Sequence, residues 1–285
     1  MTFKHSITLS SFRGIIEPAE RILETIMRQG FDAVEMFGEP SLMDSKNLAE
    51  SIRSFNISVS GVTGMWGKMG HDAWKRRLLS SDSDIVTYSV GYVKDIIVMC
   101  QKLDGREINL CLFADEESEI FDKNHGLVPE KHKQDALKKS IPILIDLSRY
   151  AKDYGVQLLL EPLNRYNTPF CTTAMDAIWI ARQLNQDNFG VLLDTYHMNI
   201  EEDSFADAIT QCEGLLRHTH FAENNRKMPG RGHIDFRTIV ASLRKIGYDG
   251  FISFEPTLKN ANYESEMWNG LEFIKKVEKS SIPPS

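Results

Sequence analysis

The feature that most constrains this chain is a rhythm in which a short apolar run is followed by a longer amphipathic one, repeated from end to end. Apolar runs of a few residues bounded by turn residues read as buried strands, and longer runs with a 3.6-residue apolar period read as helices. The first unit is HSITLSS with PAERILETIMRQG, where Pro18 suits a helix start and Gly30 its end. DAVEMF with SKNLAESIRSFN, ISVSGVTG with the run from Asp84 to Leu103, and EINLCLF with Lys133 to Tyr154 continue it. The second half supplies VQLLLE with TAMDAIWIARQLN, FGVLLD with SFADAITQC, LLRHTHF with DFRTIVASLRKIG, and FISFE with NYESEMWNGLEFIKKV.

Eight strand and helix units in 285 residues predict an α/β chain folded as a (β/α)8 barrel, one domain over residues 1–285. A hydrophobic content of 42% is enough to cover such a core. A doubly wound sheet is the alternative. It is weakened because no GxGxxG or GxxxxGK[ST] loop follows the first strand, and such loops are how those sheets usually hold dinucleotides or phosphates. Two stretches interrupt the rhythm, Met65 to Asp82 with Trp66 and Trp74, and the acid-rich Ala114 to Lys131. Loops of this length are commonly lids or binding loops, so an aromatic there is expected either to stack on a ligand or simply to pack.

Strand ends carry the chemistry. FGVLLD is continuously apolar, as a parallel strand covered on both faces should be, yet it stops on Asp194, with His197 three residues on. VQLLLEPLNRY ends its apolar run on Glu161, LLRHTHFAENNR presents His220, and FISFEP ends on Glu255. One acidic strand end reads as a helix cap or a solvated turn. Four strand ends delivering two Glu, one Asp and one His read as a site for a divalent ion.

A net charge of −7 gives no reason to seek a phosphate backbone, so nucleic acid is not expected as a partner and a small polar molecule is. Four cysteines, Cys100, Cys111, Cys171 and Cys212, form no CxxC pair and are expected as buried thiols in a reducing compartment. The amino terminus lacks a long apolar segment and no window approaches a membrane span, so the expectation is a cytoplasmic chain with no membrane partner.

One imidazole and three carboxylates suit manganese, with magnesium or cobalt as alternatives, better than structural zinc. An ion with open positions could take a ketone oxygen and the adjacent hydroxyl and stabilise the enediolate formed when the neighbouring C–H is deprotonated. Two glutamates from different strands could then serve opposite faces of that carbon, inverting it.

Four segments resemble the D-tagatose/D-psicose (ketose) 3-epimerases of the xylose-isomerase-like superfamily: EPLNRY, LLDTYHMNIEE, HTHFAENNRKMPGRGHIDF and FEP. The resemblance implies metal ligation by Glu161, Asp194, His220 and Glu255, with Glu161 and Glu255 also the catalytic acid/base pair, and substrate oxygens held by His197 and Arg226. Alternatively His197 caps the following segment and Arg226 is a solvated charge. His218 is expected deeper in the barrel as a hydrogen-bonded core residue, with Gly230, Gly232, His233 and Asp235 shaping the loop. Asn167 stands where the family carries a substrate-binding glutamate; a neutral amide there leaves a different substrate group open, an acid for instance.

The implied function is metal-dependent isomerisation or epimerisation of a ketose or keto-sugar acid at C3, by an enzyme that pairs as a dimer or tetramer. Hydroxypyruvate-type isomerases, inosose or dehydroshikimate dehydratases and keto-acid decarboxylases share this kind of site. An apurinic endonuclease would need extra histidines on the third and fourth strands, where SVSGVTG and EINLCLF have none. A non-catalytic sugar-binding protein would not be expected to keep the full ligand set.

Overall fold

In a computed structural model of the chain, residues 3–41, 45–64, 72–115, 128–259 and 262–281 are described. Trp66, with residues 65–71 of the first expected long loop and 116–127 of the second, lies outside them. The first half runs β1 (Lys4–Thr8), α1 (Ala19–Gln29), β2 (Ala33–Phe37), α2 (Ser45–Ser54), β3 (Ser58–Thr63), α3 (Ser83–Lys102), β4 (Glu107–Leu110) and α4 (Glu130–Asp153). The second half runs β5 (Gln157–Leu160), α5 (Ala174–Leu184), β6 (Phe189–Asp194), α6 (Thr195–Glu201) and α7 (Phe205–Gln211). It closes with β7 (Leu216–Phe221), α8 (Phe236–Lys245), β8 (Phe251–Phe254) and α9 (Tyr263–Ser280). All eight strands are parallel and close in sequence order, with β1 paired to β8 through Ser6 opposite Ser253. This is the expected (β/α)8 barrel.

Local signals act where the sequence places them. Gly30 ends α1 at φ 83°, a left-handed conformation that costs glycine little, and its N–H reaches the carbonyls of Ile26 and Met27. Thr173 and Asp176 form a reciprocal capping box at the start of α5. Two boundaries differ from expectation. Helix α4 begins at Glu130 rather than Lys133, because Pro129 sets the entry and Glu130 belongs to the first turn. The segment after Asp194 forms the short helix α6, nucleated by Asp194 itself, whose side chain accepts the N–H of Tyr196 at 2.8 Å.

Strand alternation separates two interiors. Ile7, Val34, Met36, Val62, Ile108, Leu110, Leu158, Leu160, Val191, Leu193, Ile252 and Phe254 are buried and join one core with the helices. The alternate positions on most strands are polar and equally buried, among them Ser6, Thr8, Glu35, Thr63, Asn109, His218, His220 and Ser253. A barrel interior is more often filled by Val, Ile and Leu. This one holds a polar column, and its upper end is the site.

Gly190 lies where β6 passes between its neighbours. A Cβ there would come within 2.6 Å of Arg217 Cγ and 2.8 Å of the Leu215 carbonyl oxygen. Overpacking of this kind typically costs about 1–3 kcal/mol, so Gly190→Ala is expected to lower the urea unfolding free energy by that order. Unchanged stability in the variant would show that the strands can part at no cost.

Candidate metal centre

Four strands deliver the site. Glu161 and Glu255 each lie one residue beyond β5 and β8, still tied to the ladder by N–H bonds to the carbonyls of Leu110 at 2.9 Å and Phe221 at 3.0 Å. Asp194 ends β6 and pairs in register with His220, which in turn pairs with Ser253. One donor atom from each of Glu161, Asp194, His220 and Glu255 lies within 4.8 Å of all the others. The structure thus brings together the four residues expected as ligands.

Each donor is held from behind. Asn109 Nδ2 donates to Glu161 Oε2 at 2.6 Å while its Oδ1 accepts the Gly64 N–H, and the Cys111 thiol lies 3.6 Å from the same carboxylate oxygen. Asp194 caps α6 with Oδ1 and offers Oδ2 to Arg226 within the cluster, so the cap reading and the ligand reading are compatible. Arg226 donates to both Asp194 and Glu255. It does so from a left-handed φ of 58° in a tight turn closed by its N–H to the Glu223 carbonyl, with its guanidinium 4.8 Å from the Tyr196 ring centre. Arg226 is therefore not a solvated surface charge.

The charges are unevenly compensated. Burial opposes ionisation of Glu255, but Arg226 and His220 outweigh it and hold its carboxyl down to about 2. At Asp194 burial wins over Arg226 and His197, and the carboxyl is pushed up. Three carboxylates converging in a buried space repel one another strongly unless cations stand among them.

The donor set fits a divalent ion. His220 is fully buried and its Nδ1 makes no hydrogen bond, although it lies 3.1 Å from Glu255 Oε2 and 3.5 Å from Glu161 Oε1. An imidazole nitrogen and carboxylate oxygens that converge this closely are arranged as ligands are.

Comparison with known proteins places the chain in a family. Residues 23–277 match the family model described as the xylose isomerase-like TIM barrel. The chain belongs to that family. Among its relatives is the D-psicose 3-epimerase of Agrobacterium fabrum, 41% identical over 246 residues, covering 83% of this chain and 78% of that one. Another is the 3-dehydro-D-guloside 4-epimerase of Escherichia coli, 36% identical over 250 residues, covering 84% and 88%. The crystal structure of D-psicose 3-epimerase with D-tagatose from Clostridium cellulolyticum superposes with a TM-score of 0.82 at 25% identity, covering 97% of this chain and 99% of that one. With these relatives, a chain of this family is an enzyme of the isomerase and epimerase class.

Around the cluster the remaining expected residues fall into place unevenly. His197 is buried; its Nδ1 accepts the Asn164 backbone N–H at 3.1 Å, with the Asn164 amide nitrogen at 2.8 Å. That leaves the proton on Nε2, which lies 3.8 Å from Asp194 Oδ2, and burial lowers the imidazole pKa, keeping it neutral. Asn167 lies exposed on the turn after β5, its backbone N–H on the Asn164 carbonyl. Trp74 is also exposed, with the Lys75 ammonium 5.5 Å from its ring centre. Buried Glu223 accepts the N–H groups of Gly230 and Ile234 and leaves no room for a side chain at Gly232, so this loop is shaped as expected. Glu35, Asn109 and Asn164 were not singled out. Glu35 and Asn109 had a signal, a polar residue inside the apolar runs AVEMF and EINL.

His218 lies below His220 as a buried core residue, with Nδ1 3.1 Å from Glu107 Oε2 and Nε2 3.5 Å from Glu35 Oε2. Burial lowers its pKa, but the two carboxylates outweigh burial and raise it to about 9. The unfolded imidazole titrates near ~6.5, so the folded state holds the extra proton between the two values. The resulting stability is complete below about pH 6.5 and is lost as pH rises through 9. The urea midpoint of the parent is expected to fall from pH 6.5 to 9.5 more steeply than that of His218→Gln, and parallel profiles would contradict this.

Proposed function

We propose that this chain is a metal-dependent sugar epimerase that inverts the carbon beside a ketone, C3 of a ketose, with Glu161 and Glu255 as the acid/base pair. The observation that carries the reading is the convergence of these two carboxylates with Asp194 and His220 in one buried cluster. A divalent ion there, manganese by the donor set with magnesium or cobalt as alternatives, would draw off the negative charge developing on the substrate's carbonyl and hydroxyl oxygens.

The chain's own groups then move the proton. Glu161 arrives from β5 and Glu255 from β8, strands well apart around the barrel, so a carbon between them would meet one carboxylate on each face. One removes the carbon-bound proton, and the other delivers a proton to the opposite face. The pair is not equivalent. Glu161 is held by a neutral amide and a thiol, Glu255 by a guanidinium and an imidazole. His197 Nε2–H can donate to a substrate oxygen as a neutral group, and Arg226 supplies charged donors beside it. Asn167 faces solvent on the same loop as Glu161 and is the residue we assign to the far end of the sugar.

A second reading is favoured by one finding. The Escherichia coli relative is matched over 88% of its length, and the carbon its name identifies, C4 beside a 3-keto group, is likewise next to a ketone. The site would serve either carbon by the same chemistry. Several observations suit a small-molecule enzyme of the cytoplasm: the negative balance, and free cysteines that are all buried, with the Cys100 and Cys212 thiols pushed up to about 12 by burial. Among the described residues no helix is long and apolar enough to cross a membrane.

The test is turnover in deuterated water with manganese and a panel of D-fructose, D-psicose, L-ribulose and a 3-ketoglycoside. Interconversion of C3 epimers with deuterium at C3 is expected, abolished by chelator and restored by metal. Label at C4 of the ketoglycoside alone selects the second reading. Glu161→Gln and Glu255→Gln should each reduce turnover by about 100-fold or more, the usual scale of a lost acid or base, whereas Asp194→Asn should chiefly weaken metal binding. Near-parental epimerisation by either glutamine variant would sink the two-carboxylate assignment.

A further inference from the structure

Beneath the four expected ligands lies a fourth acidic side chain that the epimerisation chemistry does not use. Glu35, on β2, is 2% exposed and sits against the far side of His220. His220 Nε2 lies 3.0 Å from its Oε2 and 3.2 Å from its Oε1, and the two residues are 185 positions apart in sequence. Both carboxylate oxygens are also fixed from the side. The Ser253 hydroxyl donates to Oε2 at 2.7 Å and the Thr63 hydroxyl donates to Oε1 at 3.2 Å.

We propose that Glu35 is a positioning residue for the metal centre, holding the His220 ring so that Nε2 carries the proton and Nδ1 presents its lone pair to the ion. The proposal rests on the metal reading of the site. Its basis is the contrast between the two ring nitrogens. Nε2 is hydrogen-bonded to a carboxylate that can only accept, so it carries a proton; Nδ1 makes no hydrogen bond and points at Glu161 and Glu255, two of the groups that the ion would gather, where a lone pair would face the metal. A carboxylate behind a ligating imidazole fixes its tautomer and ring plane and makes the free nitrogen a stronger donor. Ser253 and Thr63 lock Glu35 in turn, so the orientation of one ligand on β7 is fixed through β2, β3 and β8. In a closed barrel those strands cannot shift independently, which is what a metal site of defined geometry requires.

The same atoms admit one competing use. Glu35, His218 and His220 are close enough to hold an ion of their own. Both nitrogens of His220 would then be ligands, the ring would have to lose its remaining proton, and its hydrogen bond to Glu35 would be replaced by coordination.

The experiment measures metal binding rather than turnover. The chain is stripped with chelator, and Mn²⁺ affinity is measured by competition with a fluorescent chelator for the parent, Glu35→Gln, Glu35→Ala and Ser253→Ala. Loss of a group behind a ligand typically weakens affinity 10- to 100-fold, and that is the loss expected for Glu35→Ala. Glu35→Gln keeps an acceptor for Nε2–H without the charge and should fall between Ala and parent. Ser253→Ala should lose less, in the same direction, and carries the test should the Glu35 variants fail to fold. Melting of the stripped proteins is followed alongside, since a merely structural role would move melting and leave affinity alone. With Mg²⁺ bound, the ¹⁵N shifts of His220 should show the proton on Nε2 alone, and Co²⁺ absorption should change in the Glu35 variants. Parental affinity in every folded variant, a ring that keeps its Nδ1 proton in the loaded protein, or two ions per chain overturns the proposal. A parent that binds no divalent ion overturns the metal reading itself, so the two failures are distinguishable.

Discussion

Three carboxylates from three strands of one barrel meet in a space from which water is largely excluded, and most of what surrounds them answers their mutual repulsion. Two unit charges 4 Å apart interact by about 4 kcal/mol even at an effective dielectric near 20, so such a cluster cannot stand without cations and donors among its members. Arg226 bridges two of the acids from a backbone conformation that ordinary residues seldom adopt, His220 stands between two, and Asn109 anchors the third. The divalent ion proposed for this cluster would complete the balance.

The same logic extends down the barrel. With the apolar core packed between strands and helices, the inside of the barrel is free to carry polar groups, provided each is satisfied. The column alternates in sign from His220 through Glu35 and His218 to Glu107 near the lower rim. Alternation spares each member the full cost of burial. It also couples the fold's stability to the charge state of a residue that takes no part in chemistry.

Belonging to the xylose isomerase-like TIM barrel family accounts for the scaffold and the type of site, and fold alone would not choose a reaction. The choice comes from how the two glutamates differ. Glu161 has Asn109 and Cys111 behind it and Glu255 has Arg226, and the acid/base division proposed for the pair rests on these different partners.

The sequence determined the architecture and the four residues that the fold brings into one cluster. Eight apolar and amphipathic pairs left few ways to bury their apolar faces, and a carboxylate or imidazole at the end of an apolar strand has no packing purpose, so Glu161, Asp194, His220 and Glu255 stood out one segment at a time. Each of those signals is local. What the tertiary structure decided is everything that depends on strands meeting: the partnership of Glu35 with His220, the anchoring of Glu161 by Asn109, the seating of His197 on Asn164 and the bridge made by Arg226. In each case the partners are remote in the chain and become neighbours only through barrel closure and register. Helix α6 shows the same limit at short range, because Asp194 could cap a helix or serve a site, and only the direction of its two oxygens in the folded chain reveals that it does both.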